Sequence, residues 1–508
     1  LSRRGHHIYN GSAWVNEGIL HESEARTNLI TYSNTAAQWA GGGTTLTADS
    51  STGPDGLTSM VEVAETATTA FHYFNTVATF APATNQRYTL SAYVKKRGST
   101  QYVQLLWNST WNSSGYATFD LDAGTLTGTA GTLSTSITDV GGGVYRVSMT
   151  TTTANTSPGQ AILGTPNAAT GRVNSFAGNT ANGFYVYGIQ VEQASTPSSY
   201  IPTNAGATVT RAAETLTVPA ANLPYPTPVE TTGTELVPNG TFDTDLSGWE
   251  GYNDTPLWDN GRLYITAPTA FDGARTTLDS IPTTTGKRYK LTWDVELGTL
   301  SSVKVDVYGV ISAAGLQGSL TVSATGSYTM YFTAGHSAAN IYLLSGNAVG
   351  SAWFDNVSIK EVSTNLSIQM DGKMTYADTG VGAFSSNNVG EVTFVKWQET
   401  STQYIGAVLN TNTSRVGQVS VRQRHPIGGF DEVTSAVDAY SPDTNVPFNL
   451  ASRHGSTFIN AAHEGTLLTA NTTPTILPDL SSTDLNLGYT FMGTIGEFRM
   501  WSDDLGDV

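Results

Sequence analysis

The chain has 508 residues, of which 13% are charged, with a formal net charge of −17, 52 glycines and no cysteine. That length exceeds what one hydrophobic core serves and fits two to four domains, and the missing cysteine excludes disulfide staples, thiolate metal sites and cysteine nucleophiles. The acidic balance argues against nucleic acid, whose binding rests on Lys and Arg neutralising phosphates, and no stretch approaches the roughly 18 apolar residues that insert into a membrane.

Thr, Ser, Asn and Gly between the apolar residues favour strands and turns over helices. Residues 1–27 read as a lead-in hairpin, with His7-Ile8-Tyr9, a turn at Asn10-Gly11-Ser12, then Trp14-Val15 and Gly18-Ile19-Leu20. Residues 28–205 alternate apolar and polar positions, as in Arg87-Tyr88-Thr89-Leu90-Ser91-Ala92-Tyr93-Val94 and Phe184-Tyr185-Val186-Tyr187-Gly188-Ile189-Gln190-Val191, the period of half-buried strands. Residues 206–233 hold a short strand and then a proline-rich stretch from Pro219 to Pro228 that cannot pair as a central strand.

Residues 234–362 repeat the grammar of the first module. Thr27-Asn28-Leu29 leads to Trp39 in one and Asn239-Gly240-Thr241-Phe242 to Trp249 in the other; Gln86-Arg87-Tyr88-Thr89-Leu90 is matched by Lys287-Arg288-Tyr289-Lys290-Leu291. Trp39, Trp249, Trp293 and Trp353 are expected to fill cores. Residues 363–508 carry longer strands, such as Glu391-Val392-Thr393-Phe394-Val395-Lys396-Trp397, and imply a third, different sandwich. The fold expected is all-β.

Enzyme signatures are sparse: there is no Gly-rich phosphate loop, His-Glu-x-x-His, nucleophile elbow or EF-hand loop, and the chain is expected not to be an enzyme. His425, His454 and His463 are too irregularly spaced to suggest a metal triad over ordinary surface or turn positions. Sugar binding pairs an aromatic face with amides or carboxylates that bond hydroxyls. Two loops have that chemistry: Trp107 and Trp111 with Asn108 and Asn112, and Tyr252 and Trp258 with Asn253 and Asp259. Some of these aromatics can equally be core or contact residues.

Three family resemblances follow from quoted motifs. Glu22-Ser23-Glu24-Ala25-Arg26-Thr27-Asn28-Leu29, Gln190-Val191-Glu192, Ser199-Tyr200-Ile201-Pro202-Thr203 and Thr210-Arg211-Ala212-Ala213-Glu214 resemble a jelly-roll domain of phage structural and tail-associated proteins. The module from Glu235-Leu236-Val237-Pro238-Asn239-Gly240-Thr241-Phe242 to Phe354-Asp355-Asn356-Val357-Ser358 resembles carbohydrate-binding jelly rolls. Gly493-Thr494-Ile495-Gly496-Glu497-Phe498-Arg499-Met500-Trp501 is similar to the last strand of concanavalin A-like and laminin-G-like sandwiches.

The resemblances imply two jelly rolls plus one concanavalin A-like sandwich, with the second jelly roll inserted into the third domain after a strand near Leu216. They imply a structural calcium at Asn239, Thr241, Asp243 and Asp355. They also imply a non-enzymatic surface protein of a phage-like virion, on a tail fibre, tail spike or head spike, made in the bacterial cytoplasm and attaching to host cell-surface glycans. Other virion proteins and further copies of the chain, in a trimer by that analogy, are the expected partners. The alternatives are the binding region of a secreted polysaccharide-degrading enzyme and a virion decoration without ligand.

Overall fold

The computed structural model of the chain describes residues 3–9, 12–76, 80–108, 115–153, 156–225, 229–230, 234–310, 315–363, 365–378, 390–412, 414–426, 429–455, 458–475, 477–502 and 505. The fold is all-β: among these residues the helical elements are two 3-10 turns, Ala36–Gln38 and Ala220–Asn222, and no helix is long and apolar enough to cross a membrane. The strands assemble into three two-sheet sandwiches, each around its own apolar core.

In the first sandwich one sheet runs Thr125–Ala130, Tyr116–Asp120, Tyr102–Trp107, Ala161–Gly164, Tyr73–Thr76, Trp39–Gly42. The other runs Ser134–Asp139, Val144–Thr152, Arg87–Arg97, Gly183–Glu192, Thr58–Glu65, Thr44–Thr52. The period-2 pattern sends Leu90, Ala92 and Val94 inward against Val103, Leu105 and Trp107 of the opposite sheet.

The second sandwich sets Trp249–Tyr252, Gly273–Thr276, Ala338–Leu344, Val303–Tyr308 and Leu316–Val322, in that order, against Leu257–Trp258, Leu263–Ile265, Ala352–Ser363, Arg288–Leu297 and Gly326–Thr333. Phe242, Trp249, Trp293, Val305, Leu343 and Phe354 fill the space between. Trp353 does not join them: Phe354 is buried, so its neighbour faces out, where the Trp353 indole stacks on Tyr264 at 4.8 Å between centroids. Asn356, at φ +50, breaks the alternation of that strand and shifts its phase.

The third sandwich is assembled from three separated stretches of chain. Its first sheet runs Arg3–Tyr9, Trp14–Glu22, Met492–Trp501, Asn365–Met374, Val446–Gly455, Ile459–His463, Thr466–Leu467. Its second runs Leu216–Val218, Leu485–Leu487, Glu391–Thr400, Gln403–Asn410, Gln418–His425, Gly429–Thr434. The N-terminal hairpin forms and is the edge of the C-terminal sheet, with Ile19 opposite Ile495 and Glu22 opposite Met492. Leu216 pairs with Leu487 and Val218 with Leu485, so residues of this sandwich flank both other sandwiches along the chain. Sandwich termini lie close together, which lets a host carry such insertions at its edges.

Candidate functional site

The second sandwich turns one sheet outward with an aromatic and ionic face. Val303, Val305 and Val307 point into the core, so Lys304, Asp306 and Tyr308 project the other way. The register lines up Glu250, Arg275, Tyr342 and Asp306 across four strands. Tyr342 forms the floor, 8% exposed. Tyr252 and Tyr308 stand against it edge to face, each 5.1 Å away between centroids.

Arg275 donates to Glu250 at 2.8 Å, and its guanidinium lies 5.8 Å from the Tyr252 ring centroid and 6.0 Å from that of Tyr342, within cation–π range of both. Lys304 donates to Asp306 at 2.7 Å and reaches toward Phe271, itself 44% exposed. Asp306 is 1% exposed and its Oδ1 has no hydrogen-bond partner, an uncommon state for a buried carboxylate oxygen. Burial and the Asp306 charge raise the Tyr308 hydroxyl above its ordinary pKa, so the phenol stays neutral and able to donate. At the Tyr308 end the Asn340 amide is held by Asp279 and the Gly309 carbonyl. The result is a shelf of ring faces and edges among charged and amide groups already paired with one another.

One sheet of the first sandwich offers a comparable outward set, but its own loop covers it. Gln104 is fully buried, donating to Thr118 and the Gly171 carbonyl and accepting from the Val173 amide. The Gly171 amide donates to the Tyr116 hydroxyl, and Arg172 reaches the carbonyls of Gly115 and Trp107.

The residues singled out by sequence are dispersed by this architecture. Trp107 has no exposed surface and belongs to the first core, which removes it as a stacking platform. Asn108 donates to the Pro158 carbonyl at 3.1 Å; Trp111 and Asn112 lie outside the described residues. In the second sandwich, Tyr252 belongs to the shelf and Asn253 ends its strand at φ +56. The chain then crosses to the opposite sheet, so Trp258 and Asp259 sit elsewhere: Trp258 is 45% exposed and donates to the Phe242 carbonyl, while Asp259 accepts from the Trp353 indole at 2.6 Å. Tyr308, Tyr342, Arg275 and Asp306 were not singled out. Their signal was parity, since each occupies the outward phase of a strand whose inward phase is apolar.

The residues expected to hold calcium lie in and beside a hydrogen-bonded turn. Asn239 donates to the carbonyls of Asp245 and Ser247, and Thr241 donates to Asp243. Asp355 accepts from the Asn356 amide; burial, then the charges of Asp294 and Asp243, raise its pKa. Among the described residues no group of three or more His, Asp or Glu side chains is placed to hold an ion, whereas calcium also takes amide, hydroxyl and backbone carbonyl oxygens.

No family model matches the chain, and no curated protein matches it. Parts of it are similar to solved structures. One is a CBM4 carbohydrate-binding module, with TM-score 0.22 and 18% identity over 25% of this chain and 99% of that one. Another is the N-terminal CBM22 tandem domain of Paenibacillus barcinonensis Xyn10C, with TM-score 0.21 and 10% identity over 71% and 98%. A third is the mouse laminin alpha1 LG4-5 pair, with TM-score 0.20 and 8% identity over 55% and 91%.

Proposed function

We propose that the chain is a non-enzymatic glycan-binding protein whose saccharide lies across the open shelf of the second sandwich. The observation that carries this is the row Tyr252, Tyr342, Tyr308 on one sheet face, with Arg275, Lys304 and the incompletely bonded Asp306 beside it. Pyranose rings present apolar C–H faces and a girdle of hydroxyls. The two standing tyrosines match the first, and the ionic groups match the second. The acidic groups of the shelf are paired with Arg275 and Lys304, which suits a neutral saccharide. The cell biology proposed for it is attachment of a phage-like particle to host glycans, outside the cell, through repeated copies of the chain. Repetition matters because weak sites gain roughly 10² to 10⁴ in avidity when linked.

Native gel electrophoresis of the intact chain through soluble neutral polysaccharides (xylan, mixed-linkage β-glucan, galactomannan) tests the reading. At least one should retard the wild type, and Tyr308→Ala should weaken that retardation about tenfold, the loss of one aromatic contact, with unchanged thermal melting. No retardation in any gel, or an unaltered Tyr308→Ala, contradicts it. Antibody labelling of particles under the electron microscope separates a virion protein from the binding region of a secreted enzyme.

A further inference from the structure

A second cleft lies between the N-terminal hairpin, the first sandwich and the third, far in the chain from the tyrosine shelf. It encloses about 300 Å3 and is lined by His7, Trp14, Tyr93, Asp139, Arg146 and Asn445, among others, a size at the low end for small-ligand sites. Trp14 is 55% exposed there.

Arg146 is the unusual member. Its guanidinium lies 5.4 Å from the Tyr93 centroid and one terminal nitrogen donates to the Ser198 carbonyl. Its Nε–H is buried with no acceptor, and no carboxylate lies within ion-pair distance of it among the described residues. The acids nearby are otherwise engaged: Glu22 holds Arg211, Ser199 and its amide, and Asp139 accepts from the Gly141 amide. In a chain with a net charge of −17, a half-buried guanidinium with no counter-ion and a buried, unpartnered Nε–H stands out, because its planar fork fits a carboxylate.

We infer that this cleft binds a carboxylate-bearing sugar residue, a uronic or sialic acid, with the carboxylate on Arg146 and the ring beside Trp14. The site is independent of the shelf and would discriminate by charge where the shelf does not. Arg146 lines the cleft, and a ligand carboxylate there would supply the charged partner that the guanidinium lacks.

The test is saturation-transfer NMR on the intact chain with D-glucuronic acid and N-acetylneuraminic acid, beside the methyl ester of each, D-glucose and sodium acetate. At least one acid sugar should bind in the millimolar range, with its neutral counterpart and acetate about tenfold weaker, the difference made by one charge-assisted fork on a placed ring. Arg146→Gln should remove that preference while leaving polysaccharide retardation by the shelf intact, and Arg146→Lys should keep part of it. The inference is overturned if neither acid sugar binds, if ester or acetate binds as well as the acid, or if Arg146→Gln binds like the wild type. The comparison of acid with ester needs no variant, so it decides the matter even if the substitutions disturb folding.

Discussion

His454 lies on the strand Val446–Gly455, where Phe448, Leu450, Ser452 and His454 alternate inward. It is 1% exposed, its Nδ1 has no partner, and burial pushes its pKa down to about 3. The unfolded chain takes up that proton near pH ~6.5, so the folded state is at full strength above this value and loses stability as pH falls toward 3. The slope from one such group is at most about 1.4 kcal/mol per pH unit. Urea midpoints measured from about pH 7 to pH 4 should fall more steeply for the wild type than for His454→Gln; parallel curves contradict this. A second residue-scale expectation concerns Arg422 and Glu391, 2.8 Å apart with side chains 4% and 0% exposed. Arg422 keeps a second carboxylate partner in Glu432, 3.1 Å from its Nε, so Glu391→Gln removes one of two charged partners and should cost about 1–3 kcal/mol, read as the same urea midpoints; an unchanged midpoint contradicts this. By its spacing His454 reads as an ordinary surface or turn position, and the structure corrects this: His454 shares the inward phase of Phe448 and Leu450 on its strand. What single residues did not disclose was which outward phases would share a face: Glu250, Arg275, Tyr342 and Asp306 come from four strands, and only their register aligns them.

At the scale of elements, apolar alternation marked strands well and their partners poorly. The strand Trp14–Glu22 carries no sequence mark of its pairing with Met492–Trp501, more than 450 positions away along the chain. Phase was also lost where a strand bulges: counting back from Val357 and Ile359 places Trp353 inward, but the left-handed Asn356 shifts the phase and buries Phe354 instead. The hairpin docks through Gly18, which has φ +90 and whose missing Cβ would stand 2.1 Å from the Ile495 carbonyl oxygen. Gly18→Ala therefore clashes with backbone in a conformation that L residues rarely adopt. Limited proteolysis should cut this variant within residues 1–22 faster than the wild type while the rest of the chain stays resistant; equal rates would mean that the hairpin is held by other contacts.

For the whole molecule, three sandwiches share one chain without a disulfide, and the third acts as host. Its strands Trp14–Glu22, Leu216–Val218 and Asn365–Met374 bracket the first and second sandwiches. A polar contact ties the first sandwich to its host: Glu22, on a host strand, accepts from the Ser199 amide and hydroxyl, and it also holds Arg211. On the second sandwich Tyr252 and Tyr308 of the shelf stay partly exposed, while the comparable face of the first sandwich lies under its own loop at Gly171 to Val173. Hydrogen–deuterium exchange of the intact chain, with and without a polysaccharide that retards it, locates the saccharide directly. Protection gathered in Trp249–Tyr252, Gly273–Thr276, Val303–Tyr308 and Ala338–Leu344 is the expected result; binding with protection elsewhere and none on these four strands would contradict the shelf as the glycan site.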